Sequence, residues 1–173
     1  MSAVNDRAEI RRALETAETI AVVGCSPNPE RPSNEIARYL ISQGYEVLPV
    51  NPGHREILGR RAYRSLSEIP REIRIDIVDV FRRSEHVAPV AEEAIARGVG
   101  FFWMQMGVED AESARRLTAA GIPAAMDRCI LVEHGRSGLP PRPRTRRNSD
   151  PKTDVSHSPE RDPALKTESG HRD

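Results

Sequence analysis

The sequence predicts a doubly wound α/β domain, with a mostly parallel five-stranded sheet and helices on both faces of that sheet. Three observations carry this prediction. Short apolar runs rich in β-branched residues alternate with helical patterns, several helical patterns end at a glycine, and the 173-residue chain has the length of one ordinary domain. Such alternation is typical of parallel strands joined by crossover helices.

The first half of the chain contains patterns for two helices and two strands. Apolar residues recur at spacings of three and four over residues 4–17, which predicts a leading helix. The continuous apolar run TIAVVG then predicts a buried strand. A second helix is expected from an N-cap at Ser33 to the glycine Gly44. The run YEVLPVNP after it predicts a second strand, which Pro52 stops.

The second half continues the alternation with three more strands. Residues 53–73 have a weaker pattern, with a short helical turn predicted at residues 65–69. The three strands are IRIDIVDVF, VGFFWMQ and IPAAM, and they are separated by a helix from Ser84 to Gly98 and another over residues 109–120. With the five strands numbered along the chain, we expect the Rossmann-like sheet order 3-2-1-4-5.

Composition divides the chain into a folded domain over residues 1–135 and a disordered tail over residues 136–173. The first part holds 17 arginines, no lysine and 20 acidic residues, so its formal net charge is −3, whereas the tail carries +3. The tail is rich in Pro, Ser and Arg and has too few apolar side chains to offset the entropy of ordering. Its PPRPRTRR patch fits contact with nucleic acid or an acidic partner. A solvated basic tail is the simpler interpretation, so nucleic-acid binding is not expected.

Several classes of protein are disfavoured. No apolar stretch approaches the roughly 20 residues of a membrane span, and the N-terminus lacks a signal-peptide core, so we expect a cytoplasmic protein without membrane contact. Cys25 and Cys129 stand alone, so neither a disulfide nor a metal site is predicted, and both should be free thiols. The apolar run at residues 99–104 fits either the sheet core or a dimer edge, which leaves a homo-oligomer open.

A ligand site is predicted at the carboxyl ends of the strands, next to strand 1, where the sheet order reverses. The loop after strand 1 reads GCSPNPERPS. Gly24 allows a tight turn and close backbone approach, Ser26 offers a hydroxyl, and Arg31 offers a guanidinium for phosphate. The helix that follows would point its N–H groups at an anion. A pyrophosphate-sized anion fits this set of groups.

The type of nucleotide is less clear from these residues alone. The loop lacks the G-x-G-x-x-G spacing, and strand 2 ends in PVNP rather than in an acidic residue for the ribose hydroxyls, which disfavours NAD. A Walker lysine is excluded because the first 135 residues contain no lysine.

Six segments, in this order along the chain, carry a resemblance to a known family: GCSPNPERPS, ARYLISQGYEVLPVNP, LSEIP, VDVFR, FWMQMGV and MDRCILVEHGR. Together they resemble the small stand-alone CoA-binding proteins, whose Rossmann-like domain is similar to the CoA-binding domain of succinyl-CoA synthetase α subunits. The resemblance covers about residues 15–136. It implies that coenzyme A, or an acyl-CoA, is the ligand.

The resemblance also implies which residues surround each part of the ligand. The pyrophosphate would contact Gly24, Cys25, Ser26, Arg31, Pro32 and Ser33. The adenine and ribose would lie near Asn51, Pro52, Val80, Phe81 and Arg82, and the pantetheine arm near Gln105, Met106 and Gly107.

The chain departs from this family after the PVNP motif. Gly53 stands where family members often have a basic residue suited to the 3′-phosphate, so His54, Arg55 or Arg82 would have to replace it. Cys25 has two interpretations. It is either a small buried residue in a tight turn, or a thiol whose pKa is lowered at a helix N-terminus and which could pair with the CoA thiol.

Catalytic residues find less support. Asp76 and Asp79 are three apart on a predicted strand and so point to opposite faces, which is unsuitable for a paired acid and base. His86 starts a predicted helix, and the run DRCILVEH around His134 fits a structural polar cluster.

We therefore expect a protein that binds CoA or acyl-CoA without catalytic machinery of its own, rather than an enzyme. Two alternatives are kept. One is the CoA-binding component of an acyl-CoA enzyme whose other domains lie elsewhere. The other is a regulatory domain that senses NAD(H) or a similar nucleotide.

Overall fold

The computed structural model describes residues 4–143 of the chain. Five parallel strands form the main sheet, and two further strands form a short antiparallel hairpin. In chain order the strands are β1 (Thr19–Val23), β2 (Glu46–Val50), β3 (Glu56–Ile57), β4 (Arg60–Arg61), β5 (Ile77–Val80), β6 (Phe101–Met104) and β7 (Ala124–Ala125). The hairpin is β3 and β4, and the predicted α/β class is confirmed.

Helices cover both faces of the sheet. They are α1 (Arg7–Thr16), α2 (Pro32–Ser42), α3 (Val87–Arg97), α4 (Ala111–Ala119) and α5 (Ile130–Ser137). The core between the sheet and α1, α2 and α5 includes Leu14, Leu40 and Trp103. The core on the other face includes Val87 of α3 and Leu117 of α4. Within residues 4–143, no helix combines the length and the hydropathy that a membrane span requires.

The order of the strands differs from the predicted one. With the five sheet strands counted along the chain, the sheet runs 2-1-3-4-5 and not 3-2-1-4-5, because β2 is an edge strand and β1 lies between β2 and β5. Pro49 gives the physical reason, since proline has no N–H to donate and is confined to edge strands. On the outer side of β2 the Pro49 carbonyl accepts a hydrogen bond from Tyr63 N–H at 2.9 Å. A central β2 would have lost a ladder hydrogen bond at Pro49.

Two helix starts were predicted inaccurately. The N-cap of α2 is Arg31, with Pro32 as its first residue, so Ser33 does not cap this helix. Ser84 opens a short 3₁₀ turn, and α3 begins only at Val87. The glycine stops are correct: Gly44 and Gly98 both have the left-handed backbone that ends a helix, with φ of 89° and 64°. The predicted turn at residues 65–69 is a 3₁₀ helix, Leu66–Glu68.

The folded region extends past the predicted start of the tail at residue 136, which falls inside α5. Beyond this helix, Arg142 NH2 donates to the carbonyl oxygens of Leu14, at 2.9 Å, and of Glu15. Its guanidinium also lies 4.8 Å from the ring centroid of Tyr45. Residues 144–173, with most of the predicted tail and half of its basic patch, lie outside the described residues.

Both edges of the sheet are hydrogen bonded to other parts of the chain. Beside β2, Asn51 N–H donates to the Tyr63 carbonyl at 2.8 Å, next to the bond at Pro49. Beside β7, Asn5 N–H donates to the Ala124 carbonyl at 3.0 Å, and Asn5 Oδ1 accepts from Met126 N–H at 2.8 Å. Strand β6 has a neighbour on each side, so the apolar run at residues 99–104 belongs to the sheet core and not to an edge.

Candidate functional site

Four segments meet at the carboxyl edge of the sheet. Asn51 Nδ2, after β2, donates to the Cys25 carbonyl, after β1, at 2.8 Å. Gly24 approaches the segment after β5 so closely that a Cβ at this position would lie 3.0 Å from the Phe81 carbonyl oxygen. Gln105 N–H, after β6, donates to the Val80 carbonyl at 3.3 Å. The reversal of strand order falls between β1 and β5, so these segments surround the point where doubly wound sheets bind ligands.

The loop after β1 is held in place by its own polar side chains. Ser26 N–H donates to Ser33 Oγ at 3.0 Å, and Asn28 N–H donates to Ser26 Oγ at 3.1 Å. Asn34 Nδ2 donates to the Ser26 carbonyl at 2.8 Å. Ser33 and Asn34 are buried, so the two bonds that they make are partly shielded from water, whereas the bond from Asn28 is exposed. The loop is therefore ordered without a ligand, which lowers the entropic cost of binding one.

The start of α2 is suited to an anion. No side chain caps it, because Arg31 is the N-cap and Pro32 follows. The positive end of the helix dipole therefore faces the loop without a side-chain acceptor. A cavity of about 430 Å³ adjoins this end and is lined by Gly24, Ser26, Arg31, Pro32, Ser33 and Phe81.

The basic side chains predicted around the ligand are unpaired. Among residues 4–143, none of the ion pairs involves Arg31, Arg82 or His54. Arg31, His54 and Pro52 are exposed, and Phe81 and Arg82 are half-buried. The guanidinium groups of Arg31 and Arg82 therefore have no carboxylate partner among the described residues, which favours a phosphate-bearing ligand.

Two of the predicted contact residues, Cys25 and Val80, have side chains inside the core. Both residues are 0% exposed, backbone included, so neither presents a surface to a ligand in this structure. Burial, with a smaller contribution from Asp79, raises the pKa of the Cys25 thiol to about 11. The hypothesis of a reactive thiol with a lowered pKa is therefore wrong, and Cys25 is the small buried residue of the other interpretation.

A buried carboxyl group lies beneath this edge. Asp79 is 0% exposed, and its Oδ1 accepts from Gln105 Nε2 at 2.7 Å. Its Oδ2 has no hydrogen-bond partner in the part of the chain that the structure describes. Burial raises the pKa of Asp79 to about 8, against the opposing effect of the Gln105 hydrogen bond. Asp79 is therefore mainly protonated at neutral pH. Sequence analysis missed this pair, and the lone Asp in the apolar run IVDV was the only signal for it.

Asp76 and Asp79 do not form a pair of interacting carboxyl groups. Asp76 precedes β5, and its Oδ2 accepts from the N–H groups of Glu18 and Thr19 at 2.9 and 3.0 Å. Its Oδ1 is 2.8 Å from Arg74 Nε. Asp76 therefore orders the amino end of β1, at the far end of the sheet from the loops.

His134 lies in a structural cluster on α5. It is 3% exposed, its Nδ1 is 2.9 Å from the Tyr39 hydroxyl, and its ring packs edge-on against Tyr39 and Tyr45. Burial, and then the nearby Arg142 charge, lower the pKa of His134. The burial of the ring and the Tyr39 contact at Nδ1 are in line with a structural role.

A larger groove, of about 700 Å³, lies at the opposite end of the sheet, beside the amino ends of β1 and β2. Two ion pairs line this groove, Arg60 with Glu46 at 2.9 Å and Arg74 with Asp76 at 2.8 Å. The other charged residues of its lining are Glu18, Arg61 and Glu72, which add no excess of positive charge. The groove is therefore less suited to an anionic ligand than the carboxyl edge.

The fold is that of a Rossmann-like domain. The first turn of α2, which no side chain caps, lies beside the point where the strand order reverses. Residues 18–135 match the family model described as the CoA binding domain, and the chain belongs to this family. The resemblance found in the sequence is thereby confirmed.

Relatives of two kinds are similar to this chain. The uncharacterized protein YneT of Bacillus subtilis is 43% identical over 128 residues, which are 74% of this chain and 93% of YneT. A solved structure from Thermus thermophilus is 40% identical with a TM-score of 0.72, over 76% of this chain and 98% of that one. The α subunit of the ADP-forming acetate–CoA ligase II of Pyrococcus furiosus is 40% identical over 62 residues, 35% of this chain but only 14% of the subunit.

Proposed function

We propose that this protein binds coenzyme A, or an acyl-CoA, at the carboxyl edge of its sheet and does not itself transform the ligand. Membership of the CoA binding domain family supports the class of ligand. The observation that supports this location of the ligand is the start of α2, which has no side-chain cap and lies beside the loop from Gly24 to Ser26. This is the place where a doubly wound sheet offers backbone N–H groups to a pyrophosphate.

The pyrophosphate would lie between this loop and α2. Gly24 has a φ of 82° and no side chain, so the backbone can approach the phosphate oxygens. The exposed guanidinium of Arg31 provides a charge-assisted hydrogen bond, and the Ser26 hydroxyl a neutral one. Ser33 is already engaged by Ser26 N–H, so its main role is to hold the loop.

The nucleoside and the arm of CoA would extend along the same edge in opposite directions. Asn51 and Pro52 would border the adenosine on one side, and Phe81 would offer an aromatic surface to it. Arg82 and His54 are the candidates for the 3′-phosphate, since neither takes part in an ion pair with another of the residues 4–143. The pantetheine arm would run past Gln105 and Gly107.

The side chains around the site give little support to catalysis. Cys25 is buried with a raised thiol pKa, and His134 is buried in an aromatic cluster. A CoA-binding component of an acyl-CoA enzyme is the second candidate, because the chain resembles a small part of an acetate–CoA ligase subunit. That role needs the catalytic groups of another domain or chain.

Calorimetric titration of the full chain with CoA, dephospho-CoA, acetyl-CoA and NAD tests the proposal. We expect CoA to bind and NAD not to bind. Tighter binding of NAD, or no binding by any of the four, would overturn it. The ratio of CoA to dephospho-CoA affinity reports on the 3′-phosphate, and it should fall when His54 or Arg82 is replaced by Ala. The chain alone, given acetate, CoA and ATP, should form no acetyl-CoA.

A further inference from the structure

The hydrogen bond between Asp79 and Gln105 joins neighbouring strands directly under the proposed CoA site. Asp79 pairs in register with Trp103, and Gln105 follows two residues later, so both side chains are on the same face of the sheet. Asp79 is enclosed, whereas Gln105 keeps 4% of its surface exposed at the end of β6. Next to it, Met106 is 70% exposed. The pair thus reaches from the core to the surface of the site.

This hydrogen bond fixes which end of the Gln105 amide faces the site. Gln105 Nε2 donates to Asp79 Oδ1 at 2.7 Å, so the amide oxygen Oε1 is directed away from Asp79. No residue between 4 and 143 donates a hydrogen bond to Oε1. If Oε1 were fully buried, it would be a buried polar atom without a partner, but among the described residues only Asp79 Oδ2 is such an atom. Oε1 therefore reaches the surface without a hydrogen-bond donor among the described residues.

We propose that Asp79 is a positioning residue, which holds the Gln105 amide so that its oxygen accepts a hydrogen bond from an amide N–H group in the arm of the ligand. The inference rests on the proposed function, because CoA carries amide N–H groups in its pantetheine arm. Without Asp79, the amide of Gln105 could turn either its NH₂ group or its oxygen to the ligand. Asp79 itself does not touch the ligand.

The loss of folding stability that a buried Asp79 causes is consistent with this role. A buried carboxyl with one unpartnered oxygen destabilises a protein, and an apolar side chain of the same shape would avoid the penalty. Protonation, favoured by the raised pKa of Asp79, keeps a formal charge away from the arm. With the proton on Oδ2, Oδ1 remains the acceptor that the bond from Gln105 Nε2 requires.

The test compares CoA with adenosine 3′,5′-bisphosphate, which lacks the arm, in three variants. Asp79→Leu has nearly the same shape but no acceptor, and Gln105→Met removes the amide. We expect each of them to weaken CoA binding by about threefold to tenfold, the effect of one hydrogen bond, with unchanged binding of the bisphosphate. Asp79→Asn is the conservative variant. Its side-chain oxygen still accepts from Gln105, so it should retain most of the preference for CoA.

The double variant Asp79→Leu/Gln105→Met separates positioning from a general structural effect. If Asp79 acts through Gln105, the double variant loses no more CoA affinity than Gln105→Met alone. Additive losses, an equal loss for both ligands, or an unchanged ratio in Gln105→Met would each overturn the inference. If Asp79→Leu does not fold, the smaller Asp79→Val replaces it. Failure of the wild-type chain to bind CoA would instead refute the proposed function.

Discussion

Replacing Asp79 with Asn should remove a pH dependence of folding that the wild-type protein shows. The pKa of Asp79 rises from 3.8 to about 8 in the folded state because of burial. Between these two values the folded protein holds a proton that the unfolded chain has lost. The free energy of unfolding therefore falls as the pH rises, and the Asp79 contribution levels off above about pH 8.

The size of this change in the free energy of unfolding follows from the shift in the pKa of Asp79. Each pH unit in this window changes the free energy of unfolding by about 1.4 kcal/mol. Between pH 5 and pH 8, the wild-type protein should therefore lose about 4 kcal/mol relative to Asp79→Asn. Contributions of the other titrating groups cancel in this difference, because the two proteins share them.

Urea unfolding followed by the fluorescence of Trp103, the only tryptophan, gives the required free energies at each pH unit from 5 to 9. Trp103 is 0% exposed, so its emission should change on unfolding. Asp79→Leu is the control, since it lacks the same titrating group and should give the same pH-dependent difference. A difference that stays constant within about 1 kcal/mol, the equivalent of less than one unit of pKa shift, would refute the reasoning.

Three further predictions concern the site and its support. Arg31→Ala should weaken CoA binding by about 1.5–3 kcal/mol through loss of a charge-assisted contact, measured by calorimetry with Arg115→Ala on α4 as the control; equal affinities would contradict the role of Arg31. Gly24→Ala should lower the free energy of unfolding by about 2 kcal/mol, because φ is 82° and the new Cβ meets the Phe81 carbonyl, and an unchanged urea midpoint would exclude this strain. His134→Phe should reduce the loss of stability below about pH 6.5. Burial and Arg142 lower the pKa of His134, so the unfolded chain binds a proton more readily and stability falls as the pH drops; identical acid transitions for the two proteins would disprove it.

The fold class and the location of the candidate site were predictable because both depend on local patterns. Apolar runs and helix-ending glycines such as Gly44 are properties of a few neighbouring residues. The strand ends then follow from the strands, and parallel pairing brings them to one edge. The contact of Asn51 with the Cys25 carbonyl connects two such ends on adjacent strands.

The features that were not predicted from the sequence depend on contacts between distant parts of the chain. The sheet order was mispredicted although Pro49 marked β2 as an edge strand, because the pattern of apolar residues does not distinguish edge from centre when both faces are covered. Helix α5 was missed because its polar His134 is buried against Tyr39 from another helix. The Asp79–Gln105 pair spans 26 residues and exists only because β5 and β6 are neighbours.

The hydrogen bonds along the two outer strands have a consequence for self-association. Tyr63 occupies the outer side of β2, where Pro49 has no N–H to offer, and Asn5 occupies the outer side of β7. A second molecule therefore cannot lengthen the sheet by adding a strand without first displacing these residues. Edge-to-edge pairing is a known route from a native sheet to an aggregate, and these hydrogen bonds oppose it at both outer strands. Within residues 4–143, the surfaces through which copies could associate without breaking these hydrogen bonds are the helices and loops.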